Sequence, residues 1–540
     1  MNKKELSIAS DSEYKNLLSE LKDKVSQFKA AMKVNYKLPD LHCALGEFIC
    51  ESENINGVDI QSFLGIPYGK SERFGMPEMI EIYQRSPVNF GTGMRFPQND
   101  VPPILNLFLK NPMMRKEILT NKDKTDENAF VLNIWTSGTE NKKPVLVFIH
   151  GGGFTYGSGT TPLYNGKYLA AKGVVVVTIN YRLCEPGFIP VMVGGKLSVN
   201  RGFFDQQCAL KWIRKNIGFF GGDAENITLM GQSAGGLSAS MHMMSEESSK
   251  YFDKLIVCSA GVNECMTLEY AENIADSFLK QNRMSEPKEL LMLSWKKLIR
   301  LKMPLELLST PVIDGIFIKD DARYIMEKGG FSSKPVMLGT TGDELKMIDN
   351  KSWYKGLGII TEEENFKEKC LREYGSEGVR LAKELRKQYK SLTEIQFKMM
   401  ELPFHVTALR ELKLYSAKAP CYGYRMNFIP NAWNGLRGSY HCAELPFIFG
   451  TIQDMDYKVT SENLQQMEIM QNDWIAFMKN GIIPGQDFFG NNGKIMLYEN
   501  TGANLIDFPQ REIIESLQGT GIFSKIQKSF MRGRDNNFVA

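Results

Sequence analysis

The chain has 540 residues, 43% of them hydrophobic and 24% charged, with 65 Lys and Arg against 62 Asp and Glu for a formal charge of +3. So even a balance excludes the one-sided electrostatics of nucleic-acid and anionic-membrane binders, and the composition is that of a folded globular protein. No stretch approaches the run of about 18 apolar residues that a membrane span needs.

The start, MNKKELSIASDSEYKN, carries no signal-peptide core. Residues 12–32 repeat apolar positions at three- and four-residue spacing (Tyr14, Leu17, Leu18, Leu21, Val25, Phe28, Met32), which predicts an amphipathic helix packed on its own domain. Residues 1–42 are therefore read as a helical extension and residues 43–540 as one catalytic domain. From Gly46 onward short β runs alternate with helical segments. Strands are predicted at Val145–Ile149, Val174–Ile179, Ile227–Met230, Leu255–Cys258, Val336–Leu338 and Tyr422–Phe428, and a helix at Asp205–Ile217. Several of the strands are apolar on both faces, so the expected architecture is α/β: a large, mostly parallel sheet flanked by helices. Residues 262–330 are more helical and charged and read as a cap insertion; residues 361–390 read as solvated helix. Nine cysteines, none in a C-x-x-C arrangement, fit reduced thiols and a cytoplasmic protein.

The chemistry-bearing segments stand at the ends of these strands. KPVLVFIHGGGFTYGSG (143–159) is a strand running into a glycine loop, whose unhindered N–H groups suit an oxyanion; no Lys-Ser/Thr follows to make it a phosphate loop. His150, just before those glycines, suits a structural role. ITLM then GQSAGG (231–236) then LSASMHMM gives the order strand, Gly-x-Ser-x-Gly, helix, a nucleophile elbow presenting Ser233. A serine nucleophile needs a base. Of the five histidines, His42, His150, His242, His405 and His441, the last follows a glycine-containing loop beyond a strand and is the best placed. The acid lies between serine and histidine in chain order; after the β run Val336–Leu338, either Asp343 or Glu344 serves by chemistry.

With these segments in hand, the chain resembles the type-B carboxylesterase/lipase family. SFLGIPYG (62–69), VLNIW (131–135), HGGGF (150–154), NYRL (180–183), NRGFFDQQCALKWIRKNIGFFGGDAENITLMGQSAGG (200–236), SYHCAELPFIFG (439–450) and WIAFMKNG (474–481) fall in the family's order. TPLYNGKYLAAKG (161–173) and ELPFIFG look closest to bacterial para-nitrobenzyl-esterase-like members. The resemblance implies an α/β-hydrolase fold with helical cap insertions and a two-step serine esterase acting on small to medium uncharged esters. It implies His441 as triad histidine, Glu344 as acid, and the N–H groups of Gly152, Gly153 and Ala234 as oxyanion donors. No cofactor, metal, nucleic acid or membrane span is expected; the partner is a small-molecule ester, and the chain a monomer or homodimer. The alternatives are an interfacial lipase, with the apolar segment Val101–Met114 as a lid, and a non-catalytic cholinesterase-like binding protein. The chain departs from the family at Ala129, where a disulfide cysteine is usual, at Gln232, where Glu is commoner, and at Leu345, where a glycine follows the acid. No tryptophan lies between Arg73 and Trp135 to form a choline platform.

Overall fold

The computed structural model describes residues 40–83, 93–98, 123–262, 264–302, 310–346, 351, 354, 358–430, 438–455 and 458–526. The predicted N-terminal helix and the candidate lid at 101–114 lie outside these residues. Eleven strands form one sheet: β1 (Glu51–Ile55), β2 (Val58–Pro67), β3 (Val131–Thr136), β4 (Lys143–Ile149), β5 (Val175–Ile179), β6 (Gly222–Gln232), β7 (Lys254–Cys258), β8 (Val336–Thr341), β9 (Cys421–Met426), β10 (Lys494–Glu499) and β11 (Gly502–Asp507). Their spatial order is β11-β10-β9-β8-β7-β6-β4-β5-β3-β2-β1. From β5 through β10 every neighbouring pair is parallel, and antiparallel strands finish both edges. Strand order reverses between β4 and β6, and ligands of open α/β sheets gather beyond the carboxyl ends of strands at such a point.

Alternation along the central strands divides the interior into two cores. In β4, Val145, Val147 and Ile149 face one cluster with Trp212, Met241 and Leu412. Leu146 and Phe148 face the other, with Phe449, Trp474 and Phe477. Each fully buried Val, Ile or Phe contributes about 1.5–3 kcal/mol, so a strand apolar on both faces is held from both sides. The first core is covered by α1 (Arg201–Asn216), α2 (Ala234–Met244), and the later helices α4 (Glu363–Tyr374), α5 (Ser376–Leu385) and α6 (Leu392–Ser416); the second is covered by α7 (Ser461–Asn480). Between β7 and β8 the chain makes the expected insertion, including α3 (Leu268–Gln281) and three shorter helices.

Element boundaries shift where side chains intervene. The predicted helix at 205 begins at Arg201, because Asn200 adopts a left-handed conformation (φ 55°) and binds the carbonyl of Val312 (2.7 Å). The strand predicted to reach Phe428 stops at Met426, where the Ser439 hydroxyl takes over by donating to the carbonyls of Met426 (2.6 Å) and Phe428 (3.0 Å). The loop without its cysteine is held by more than packing: Arg73 grips Glu127 bidentately (2.6 and 2.7 Å) and donates to the carbonyls of Leu290 and Leu293. Among the described residues none of the nine cysteines forms a disulfide. Among the described residues no helix is long and apolar enough to cross a membrane.

Candidate active site

β6 runs straight into Ser233, whose φ of 56° and ψ of −125° put a non-glycine residue in a sparsely populated conformation. Such strain persists only where the surroundings enforce it. Here the enforcement is close approach. A Cβ on Gly231 would run into the carbonyl of Gly235, one on Gly235 into the carbonyl of Ile149, and one on Gly236 would lie 2.7 Å from the Ala260 methyl. The Ser233 N–H donates to the carbonyl of Cys258 (2.9 Å), pinning the turn to β7. The helix α2 then starts at Ala234.

The glycine loop lies against this elbow. β4 pairs with β6 in the register Ile149 to Gly231, and a Cβ on Gly151 would sit 3.0 Å from the Cβ of Ser233. Gly152, Gly153 and Phe154 all have positive φ (106°, 59° and 59°), which folds the loop back so that the carbonyl of Gly152 accepts from Thr155 (3.1 Å). Among the described residues, the N–H groups of Gly152, Gly153 and Ala234 donate to no protein acceptor.

On the other side of the strand-order reversal, β8 ends at Thr341 and a short turn presents Glu344, which is wholly buried. Its Oε1 accepts the N–H of Thr341 (2.8 Å) and its Oε2 lies 2.6 Å from Nδ1 of His441. Asp343, its chemical equal by sequence, points elsewhere, taking Lys398 Nζ (2.8 Å) and the N–H of Ser439 (3.1 Å). The carboxylate fixes the tautomer: Nδ1 carries the proton and Nε2 offers its lone pair. Burial opposes charging of His441, but the Glu344 carboxylate outweighs it and holds the imidazole above its ordinary value. Phe404 flanks the ring at 5.5 Å.

Nε2 of His441 meets the side-chain amide of Gln232 at 3.0 Å, rather than the hydroxyl of Ser233, with which it makes no hydrogen bond. The ring thus reaches the elbow and stops one residue short of the serine. The identity of residue 232 was legible in the sequence as a departure; its contact was not. Two further groups escaped sequence reasoning. Glu444 is fully buried with both oxygens unpartnered among the described residues, and burial together with the nearby Glu344 pushes its carboxyl up to about 8. Lys398 and Glu401 form a buried pair on α6 (2.9 Å) beside the acid turn. A lysine and a glutamate three apart inside the apolar run QFKMMELPFH were the signal for it.

Three other histidines belong to the core. His150 is buried, stacks on Tyr181 (4.6 Å) and is lowered by burial to about 4. His242 binds Gln206 (3.0 Å) and is lowered by burial to about 3. His405 lies between Thr340 (3.2 Å) and Arg425 (3.3 Å) and is held neutral by burial and that guanidinium. The side chain of His42 lies outside the described residues.

Whole-chain comparisons agree with this arrangement of strands and loops. The sequence profile of the carboxylesterase family matches residues 44–501. The para-nitrobenzyl esterase of Bacillus subtilis (strain 168) is 30% identical over 452 residues, 79% of this chain and 87% of that protein. The fumonisin B1 esterase of Sphingopyxis macrogoltabida is 26% identical over 496 residues, 83% of this chain and 84% of that one. Two solved structures of PNB esterases superpose with TM-scores of 0.73 and 0.69 at 25% and 26% identity, covering 89% and 88% of this chain and 99% and 100% of theirs.

Proposed function

This chain belongs to the carboxylesterase family and is a serine carboxylesterase of the α/β-hydrolase fold; from that premise we propose that it hydrolyses small to medium uncharged esters with Ser233 as nucleophile, His441 as base and Glu344 as orienting acid. The observation that carries the assignment is the 2.6 Å contact between buried Glu344 and Nδ1 of His441, with the ring's other nitrogen at the elbow.

In the first step the Ser233 oxygen attacks the ester carbonyl carbon while Nε2 of His441 takes the hydroxyl proton. That nitrogen must exchange the Gln232 amide for the serine hydroxyl, a short movement between adjacent residues of one turn. The carbonyl oxygen becomes an oxyanion, received by the N–H groups of Gly152, Gly153 and Ala234; a lost donor of this kind costs roughly 10²–10³ in rate. His441 then protonates the leaving alcohol, and the acyl-enzyme forms. Water, deprotonated by His441, releases the acid and restores Ser233. Glu344 keeps the tautomer and stabilises the imidazolium throughout.

Preference for uncharged esters is supported by the neutral amide of Gln232 beside the nucleophile and by Glu444, which stays protonated at neutral pH. Nine cysteines without a disulfide support the cytoplasm as its compartment. Ser233→Ala is expected to cut turnover of a p-nitrophenyl ester by about 10⁴-fold or more, with fluorophosphonate labelling abolished. Turnover within about tenfold of the parent would refute the nucleophile.

A further inference from the structure

Gly342, Asp343 and Leu345, on either side of Glu344, are all tied to a single turn of α6. Lys398 is buried, 8% exposed, and its ammonium makes three hydrogen bonds, as many as it has protons: to the carbonyl of Gly342 (2.8 Å), to Oδ1 of Asp343 (2.8 Å) and to Oε2 of Glu401 (2.9 Å). Glu401 turns its other oxygen back to the N–H of Leu345 (2.9 Å). Residues 342, 343 and 345 are therefore gripped while Glu344 is left free to face His441. The grip extends to the histidine loop. Asp343 accepts the N–H of Ser439 through Oδ2 (3.1 Å) and donates its own N–H to the carbonyl of Ser439 (3.0 Å), two residues before His441. One cation thus stands where helix, acid turn and histidine loop meet.

We propose that Lys398 is a positioning residue for hydrolysis, holding the Glu344 turn and, through Asp343, the His441 loop in the register that makes the 2.6 Å carboxylate–imidazole contact. The inference rests on the reading of Glu344 as the orienting acid. The surrounding charges suit the role. Lys398 is held above its usual value, because Glu401 and Asp343 outweigh its burial; Asp343 is held low, Lys398 and Lys346 outweighing its own burial. Arg425, which also donates to the carbonyl of Gly342 (3.2 Å), and the Tyr389 ring, 5.8 Å from the ammonium, complete the surroundings, and His405 behind them is neutral. Lys398 therefore keeps its charge across the range in which His441 titrates, while burial raises Glu401 to about 7, within that range.

A lysine that merely stabilised the fold would lower activity by the same factor whatever stood at position 344. A lysine that acts through Glu344 would not. The test is a double-mutant cycle on the full chain, read as the rate constant for fluorophosphonate labelling of Ser233. Lys398→Met is expected to slow labelling by about 10- to 100-fold, the scale of a misplacement near 1 Å, and to move the acid limb of its pH profile downward as His441 loses the carboxylate. In a Glu344→Gln background the same change is expected to alter the rate by no more than about twofold. Because Lys398→Met leaves Asp343 and Glu401 without their cation, Lys398→Met/Glu401→Gln is measured alongside, and either variant counts only with a cooperative thermal transition. Equal slowing in both backgrounds, or no slowing with Glu344 present, overturns the clamp. Labelling of Glu344→Gln at the parent rate would instead overturn the reading of Glu344 on which the clamp rests.

Discussion

Ser233 and Glu344 both follow the carboxyl end of a parallel strand, β6 and β8, and both are presented by a sharp turn. The serine turn is built on packed backbone: three glycines within six residues let the chain approach itself, the end of β4 and the segment after β7 so closely that a methyl group has no room. The acid turn is built from elsewhere, its polar groups answered by Lys398 and Glu401, 55 and 56 residues along the chain, and by Ser439, 96 residues along. One turn stores strain against packed backbone; the other is held by charge and hydrogen bonds reaching it from a helix and a loop. A turn enforced by close backbone packing should therefore fail when a methyl is added to it, and a turn held by polar side chains when those partners are changed.

The largest effect is expected at the carboxylate. Glu344→Gln keeps the shape of the acid turn but removes the charge that fixes the His441 tautomer, and should lower kcat on a p-nitrophenyl ester by about 10³–10⁴-fold. Glu344 favours the imidazolium, so the parent's activity should rise with a midpoint above the ordinary 6.5, and any residual activity of the variant should titrate lower. A variant midpoint equal to the parent's would break the assignment.

Next comes a matched pair of glycines. Gly235→Ala drives its methyl into the carbonyl of Ile149, and is expected to cost about 3 kcal/mol by urea unfolding and to slow labelling of Ser233 by about 10²-fold. Gly342→Ala, in the acid turn, meets only the movable end of the Asn427 side chain as its nearest obstacle, and should keep activity within about tenfold. Equal damage at both positions would erase the distinction between the two turns.

Smaller, and sharper, is the effect at Gln232. A carboxylate placed there stands against Nε2 of His441 and favours its protonation, so Gln232→Glu should move the acid limb upward by about one pH unit. A limb that stays put would mean that the ring does not visit residue 232 in solution.

The smallest effect concerns Glu444. Its folded value near 8 exceeds the ordinary carboxylate value of 4.5, so the folded state holds a proton that the unfolded chain releases. The stability this contributes is complete below about 4.5 and is lost as pH rises to about 8. Glu444→Gln cannot release a proton; relative to the parent it should gain roughly 1 kcal/mol or more, about one degree of Tm or more in a chain this long, between pH 5 and 8. Parallel Tm curves would show Glu444 ionised in the fold.

Legibility from the sequence followed the same division. The strand, glycine and serine order of 227–236 and the glycine loop at 150–154 could be read directly, because a continuous apolar run and close backbone approach leave their mark in adjacent residues. The parallel sheet was visible for the same reason, in runs such as VVVTI that are buried on both faces. At 343–344 two carboxylates stood side by side and chemistry could not choose; resemblance pointed to Glu344, and in the fold Glu344 lies 2.6 Å from Nδ1 of His441 while Asp343 joins the two loops. Strand and helix ends were misjudged where a distant partner, Val312 for Asn200 or Ser439 for Met426, sets the boundary.

What the sequence by itself determined is the pattern carried by adjacent residues: the strand–glycine–serine order of the elbow, the glycine loop, the buried strands and the helical character of 361–390, whose inner face the fold buries on the first core. Tertiary structure alone decided which carboxylate meets His441, that Gln232 holds the ring at rest, and that a lysine in an apolar helix answers three acceptors. Those are choices among chemically equivalent groups, and only the distance between segments far apart in the chain separates them.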